Sequence, residues 1–282
     1  MECRQFGSTS RRVPVIGQGT WNIDHEPIDT ATEALRRGIS LGMTHIDTAE
    51  MYGSGKAEHL IAKAITGRRN EIFLVSKVLP SNASRKRVLQ ACEASLARLK
   101  TDRLDCYLLH WRGRYPLEET VAAFEQLIRE GKILSWGVSN FDVDDLEEVY
   151  RLSTARPPVC NQVLYHLEER AIEHAVIPWC SSHGIAVVAY SPFGSESGFP
   201  TPRSAGGRVL QELAELHGAS PRQVALRFLL RNPSVFVIPK ASTTEHVIDN
   251  AKAGALELSR AELARIDAVF PRGPRPRSLP MI

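Results

Sequence analysis

The chain has no C-x-x-C pair, and its five cysteines stand apart at positions 3, 92, 106, 160 and 180. That scatter excludes a disulfide framework and a zinc site built on paired thiolates, and no metal is expected. No run of about 18 apolar residues occurs, so no membrane span is expected. The first seven residues carry no apolar core of signal-peptide length. A large excess of one sign of charge is missing too: the formal net charge is +3, and no Lys/Arg cluster is interleaved with aromatics. A nucleic-acid partner is therefore not expected. What is present is 282 residues, 43% hydrophobic and 24% charged, an ordinary globular balance. Cys106 and Cys160 fall in strand-like runs and read as buried free thiols. The expectation is a cytoplasmic, monomeric enzyme of one domain over 1–282.

The chain alternates. Residues 2–6 and 12–15 flank Gly7-Ser8-Thr9-Ser10 as a hairpin. A buried strand then ends in glycines at Gly17-Gln18-Gly19-Thr20-Trp21. A helix over 27–41 follows, with Ile28, Ala31, Leu35 and Ile39 at helical spacing and Gly42 as its stop. Strands ending at Asp47 and over 71–76, 104–109, 133–138, 159–163, 185–190 and 235–238 alternate with helices over 57–65, 85–99, 117–130, from Asp142, and over 170–183, 208–217 and 244–253. Ser220-Pro221-Arg222-Gln223 and Ser259-Arg260-Ala261-Glu262 read as capping boxes. Strands this apolar are buried on both faces, as in parallel sheets. A (β/α)8 barrel, which takes roughly 250 residues, fits the length. It carries a short N-terminal β-hairpin and extra C-terminal helices. A doubly wound sheet would show G-x-G-x-x-G after its first strand, and here Gly17-Gln18-Gly19 lacks the third glycine.

In such a barrel the site lies at the C-terminal strand ends. Those ends are Thr20-Trp21, Asp47, Lys77, His110, Ser139-Asn140, Gln162, Tyr190-Ser191 and Lys240, with Tyr52 five residues past Asp47. One polar strand end means little, because such ends are ordinarily solvated. An acid, a phenol, an ammonium and an imidazole on one rim point to proton transfer.

His45-Ile46-Asp47-Thr48-Ala49-Glu50-Met51-Tyr52-Gly53, Ser76-Lys77, Leu109-His110-Trp111, Gly137-Val138-Ser139-Asn140-Phe141, Asn161-Gln162, Ala189-Tyr190-Ser191-Pro192 and Ile238-Pro239-Lys240 together resemble the aldo-keto reductases, including methylglyoxal-reductase-like bacterial members. The resemblance implies the barrel and reduction of small aldehydes and ketones with NADPH, NADH being the weaker alternative. It implies a catalytic set of Asp47, Tyr52, Lys77 and His110. Tyr52 would donate the proton, its pKa of about 10 lowered by the Lys77 ammonium that Asp47 holds. His110 would orient the carbonyl. Trp21, Met51, Tyr52, His110 and Trp111 would line the substrate pocket, with Phe193 beside them.

For the cofactor, the resemblance implies Gly19, Thr20, Trp21 and Asp47 beside the nicotinamide, Tyr190 stacked on it, and Ser139, Asn140 and Gln162 on its carboxamide. Ser191, Phe193 and Gly194 begin a loop that reads either as a pyrophosphate strap or as a surface linker. Lys240, Ala241, Ser242, Thr243 and His246 would surround the adenosine 2′-phosphate, with Asp249 and Asn250 at the adenine. Many family members carry arginine where this chain has His246, which implies a weaker NADPH preference.

Other readings stay open. Asp47 and Lys77 also suit a plain salt bridge, and a barrel lysine also suits Schiff-base chemistry. A cofactor-binding regulatory subunit of the same fold, like the potassium-channel β subunits, is the alternative of another class. The Pro/Arg-rich tail after Phe270 reads either as a sign of an open pocket or as a disordered segment of no consequence.

Overall fold

The computed structural model describes residues 1–153, 156–194 and 198–282. Two short strands, β1 (Cys3–Gln5) and β2 (Arg12–Pro14), pair antiparallel. Eight more lie parallel in chain order: β3 (Gln18–Gly19), β4 (His45–Asp47), β5 (Phe73–Val78), β6 (Cys106–Leu109), β7 (Trp136–Ser139), β8 (Cys160–Leu164), β9 (Ala186–Tyr190) and β10 (Val235–Val237). The sheet closes on itself. Val237 N–H donates to Val15 O at 2.9 Å, Gly17 N–H to Val237 O at 2.8 Å and Gly19 N–H to Pro239 O at 3.2 Å. Gly19 is required by this seam, since a Cβ there would stand 2.5 Å from Ile238 O.

The helices are α1 (Ile28–Ser40), α2 (Lys56–Ala64), α3 (Arg85–Leu99), α4 (Leu117–Arg129), α5 (Val143–Leu152), α6 (Val176–Ser182), α7 (Ala205–His217), α8 (Pro221–Leu229), α9 (Thr244–Lys252) and α10 (Arg260–Val269). Each turns an apolar stripe inward. In α3 that stripe includes Val88, Cys92, Leu96 and Leu99, and in α4 Val121, Phe124 and Leu127. Contacts of α1 with both α2 and α9 close the outer ring. The hairpin of β1 and β2 carries Phe6 into the barrel floor. Its ring sits 4.7 Å from Phe73, 5.1 Å from Phe236 and 5.7 Å from His45.

Four local expectations need correction. Residues 170–183 do not form one helix. A 3-10 turn at Ala171–Glu173 precedes α6, because Pro178 offers no N–H and is accommodated only within a first turn. The helix expected from residue 208 starts at Ala205, where Ser204 accepts from Gly207 N–H at 3.0 Å. Gly206 and Gly207 sit inside it because Phe270 and the backbone of Thr201 leave no room for a Cβ. Ser220 caps α8, but Gln223 turns to Asp249 instead of closing a box, whereas Ser259 and Glu262 form a complete one. Ile28 opens α1 exposed, and the inward face begins at Ala31.

His45 is fully buried at the start of β4, and neither ring nitrogen has a hydrogen-bond partner among the described residues. Burial first, then the Lys77 charge, lowers its pKa to about 3. The unfolded chain, with a histidine pKa of about 6.5, binds this proton more readily. Stability therefore falls as pH drops from about 6.5 toward 3, by at most about 1.4 kcal/mol per unit for this residue. Denaturation of wild type and His45→Leu at pH 7, 6, 5 and 4 should give a shallower loss in the variant; equal slopes would contradict the assignment.

Candidate active site

A cavity of about 410 Å³ opens at the C-terminal ends of the barrel strands. At its base, Lys77 of β5 is completely buried. Its ammonium donates to Asp47 Oδ2 at 2.6 Å, to Thr48 O at 2.9 Å and to the Tyr52 hydroxyl at 3.2 Å. Asp47 ends β4, and its other carboxylate oxygen accepts from Gln162 Nε2 at 2.7 Å. Register explains the meeting: β4 and β5 pair side by side with Asp47 opposite Val75, and Lys77, two residues further along β5, faces the same side of the sheet.

Tyr52 follows β4 on a tight turn. Gly53, Ser54 and Gly55 all take positive φ, at 55°, 53° and 90°. A side chain at Gly53 would collide with Asp24, and one at Gly55 with Arg98. Arg98 of α3 rests there while its guanidinium pairs with buried Glu58 of α2. Glu58 in turn accepts from Ser76 Oγ at 2.7 Å, tying the turn to the strand that carries Lys77.

Burial alone would lower the Lys77 pKa, but the Asp47 carboxylate with Tyr52 more than offsets it, and the amine stays protonated well into alkali. With its three N–H groups engaged and its charge held, Lys77 is unsuited to Schiff-base attack, which needs the neutral amine. One expectation is overturned. The Tyr52 pKa lies above 10, because loss of solvent outweighs the Lys77 charge beside it. At neutral pH the phenol is protonated, the state a proton donor needs.

His110 follows β6, and burial first, then Lys77, lowers its pKa to about 3, so the imidazole is neutral. Its Nδ1 is buried without a hydrogen-bond partner among the described residues. The ring lies edge-on to Tyr52, with centroids 5.9 Å apart, and leans on Trp111 at 4.9 Å. Trp21 and Met51 stand at the mouth, 45% and 40% exposed, and both line the cavity.

The expected cofactor residues divide into two groups. Gly19, Thr20, Ser139, Asn140, Gln162, Tyr190, Ser191, Phe193, Gly194 and Lys240 line the cavity with the residues above. Several already hold one another. Ser139 Oγ donates to Gln162 O at 2.9 Å, and Asn140 Oδ1 accepts from the Tyr190 hydroxyl at 2.9 Å. Thr20 Oγ1 donates to Asp47 O at 2.8 Å. Ala241, Ser242, Thr243, His246, Asp249 and Asn250 lie beyond the cavity, on the loop after β10 and on α9. Thr243 caps α9 by accepting from His246 N–H at 3.3 Å. Both carboxylate oxygens of Asp249 accept bonds, from Ser220 Oγ at 2.8 Å and Gln223 Nε2 at 2.7 Å. In the loop after β9, Phe193 and Phe199 meet edge to face under Arg222, while Ser195, Glu196 and Ser197 of the expected strap lie outside the described residues.

The tail is not wholly a loose end. Leu279 packs on the core, Gly273 O sits 3.0 Å from His174 Nε2, and Ile282 lines the cavity with its backbone beside the Tyr190 hydroxyl. Sequence reasoning also missed Glu26, whose Oε1 lies 3.2 Å from Lys240 Nζ. No motif marked either residue. Among the described residues no cluster suited to a metal ion occurs and no helix is long and apolar enough to cross a membrane.

A family model described as the aldo/keto reductase family matches residues 15–270. The chain belongs to the aldo/keto reductase family. Methylglyoxal reductase YeaE of Escherichia coli is 46% identical over 272 residues, covering 96% of this chain and 95% of that one. Glyoxal reductase of Bacillus subtilis is 34% identical over 257 residues, covering 91% and 89%. A crystal structure of an aldo-keto reductase from Klebsiella pneumoniae in complex with NADPH superposes with a TM-score of 0.94 at 42% identity, covering 100% and 99%.

The site geometry yields a direct titration. The ultraviolet difference between wild type and Tyr52→Phe should show Tyr52 ionising at higher pH than free tyrosine, and Lys77→Met should push its ionisation higher still. Tyrosinate absorbance between pH 7 and 9 would contradict this.

Proposed function

We propose that this aldo-keto reductase reduces small reactive aldehydes and ketones, such as methylglyoxal and aromatic aldehydes, to alcohols with NADPH, and that Tyr52 donates the proton. The observation that carries the reading is the chain from Asp47 through the buried Lys77 ammonium to the Tyr52 hydroxyl at the cavity floor. The methylglyoxal and glyoxal reductase relatives support the substrate class, and the NADPH complex of the Klebsiella enzyme supports the cofactor.

The residues present fit the cofactor. The cavity offers the flat faces of Trp21 and Tyr190 and ends at a cation, Lys240. Ser139, Asn140 and Gln162 would hold the carboxamide; Gln162 Oε1 has no partner among the described residues, while its Nε2 serves Asp47. Ser191, Phe193 and Gly194 would follow the pyrophosphate. Lys240, Ala241, Ser242, Thr243 and His246 would receive the 2′-phosphate at the capped N-terminus of α9, with Asp249 and Asn250 at the adenine. When bound, NADPH supplies the hydride for the carbonyl carbon.

The rest falls to side chains. Neutral His110 offers one N–H to orient the carbonyl oxygen. As negative charge grows on that oxygen, Tyr52 gives up its proton, and the phenolate left behind rests against the Lys77 ammonium. Asp47 and Thr48 O keep that ammonium charged and aimed. Trp21, Met51 and Trp111 form the apolar walls that exclude water.

NADPH oxidation should be followed with methylglyoxal, a nitrobenzaldehyde and an aldose, for wild type and Tyr52→Phe. The expected result is wild-type turnover on the small or aromatic carbonyls and a loss of about 100-fold or more in the variant, with NADPH binding retained. Wild type that binds NADPH and oxidises none would favour the regulatory-subunit alternative.

A further inference from the structure

Beside Lys240, which lines the far end of the cavity, stands a carboxylate where the proposed cofactor site calls for cations. Glu26 lies in the loop between β3 and α1 and reaches across to the segment after β10. Its Oε1 accepts from Ser242 Oγ at 2.9 Å and from Lys240 Nζ at 3.2 Å. Lys240 Nζ also lies 3.3 Å from Ser242 Oγ, so ammonium, hydroxyl and carboxylate form one closed cluster. The hydrogen bond from Ser242, then the one from Lys240, lowers the Glu26 pKa, so the group is an anion at neutral pH. Its two partners are the side chains that the proposed function gives to the adenosine 2′-phosphate. His246, on the first turn of α9, is exposed.

We infer that Glu26 is the residue that sets the preference between NADPH and NADH, an inference that rests on the 2′-phosphate lying at Lys240 and Ser242. A single oxygen of Glu26 already receives the donors a phosphate needs. A 2′-phosphate must either displace that carboxylate from Lys240 and Ser242 or sit beside it, and in both cases the anion opposes the phosphate. A free ribose 2′-hydroxyl meets no such opposition, since it can donate to a carboxylate; an acidic side chain at this position of an adenosine site is the ordinary partner of NADH. Glu26 thus narrows the margin by which Lys240 favours the phosphorylated cofactor. The contact is half-exposed, so salt weakens it and its removal should not unfold the chain.

The test is binding, read by quenching of tryptophan fluorescence, with NADPH, NADH and 2′,5′-ADP as probes. Glu26→Gln keeps the shape and removes the charge, Glu26→Ala removes both, and Lys240→Met removes the cation. The ratio of the NADH dissociation constant to that for NADPH should rise about five- to thirty-fold in Glu26→Gln, the effect of lifting one charge from beside a phosphate dianion. It should rise in Glu26→Ala as well, and 2′,5′-ADP should bind more tightly to both. A ratio that stays constant or falls in Glu26→Gln would overturn the inference and make Glu26 a mere brace for Lys240. Lys240→Met separates the two layers of the argument. If it weakens NADPH selectively while Glu26→Gln changes nothing, only the role of Glu26 fails. If it leaves NADPH binding intact, the placement of the 2′-phosphate fails with it.

Discussion

A buried ammonium governs this structure. Lys77 is 0% exposed within the barrel, and its partner Asp47 is nearly as deep. A charge removed from water is tolerated only when every polar contact it loses is replaced. Here the replacements come from separate parts of the chain: Asp47 from β4, Thr48 O just beyond it, and Tyr52 from the following turn. Gln162 of β8 then holds the far oxygen of Asp47 from across the barrel. Removing one partner of such a pair ordinarily costs about 3–5 kcal/mol. Strand register, the left-handed turn at Gly53–Gly55 and the brace of Arg98 on Glu58 all bear on keeping these groups at contact distance.

The same burial fixes the electrostatics. Solvent loss outweighs the neighbouring ammonium at Tyr52, so the resting phenol is a weaker acid than free tyrosine. It strips His110 of charge. The floor therefore holds one persistent cation, Lys77, and two neutral hydrogen-bonding groups around the place where a carbonyl oxygen would sit. That is the arrangement a developing oxyanion requires, because the cation strengthens the donor only as charge appears. At the other end of the cavity the balance is different. Lys240 is shared with Glu26, so its charge is partly neutralised there.

Much of this was legible in the sequence, and for a local reason. Parallel strands announce themselves as short apolar runs, and the residue that ends each run must lie at the same rim. Asp47, Lys77 and His110 could be placed together on that logic, and Tyr52 by its distance from Asp47. What stayed hidden were contacts made between distant segments. Gln162 was read as a carboxamide ligand, and its Nε2 also holds Asp47, 115 positions away. Glu26 meets Lys240 across 214 positions, and nothing near Glu26 marks it as part of a site. The tail was misjudged because Pro and Arg composition reads as solvent-exposed, and most of it is, while Leu279 and Ile282 fold back to the core and the cavity. The direction of the Tyr52 shift also lay beyond sequence, since it depends on how completely the hydroxyl is buried.

The most direct test of the claim that this buried ion pair serves the chemistry is the turnover number of Asp47→Asn, measured beside its NADPH affinity and melting temperature. Asparagine keeps an acceptor for Lys77 and removes the charge that holds it. The expected variant is folded and binds NADPH within a few-fold of wild type but turns over about 100-fold more slowly or worse. A folded Asp47→Asn with wild-type turnover would reduce the pair to a structural salt bridge and contradict the account.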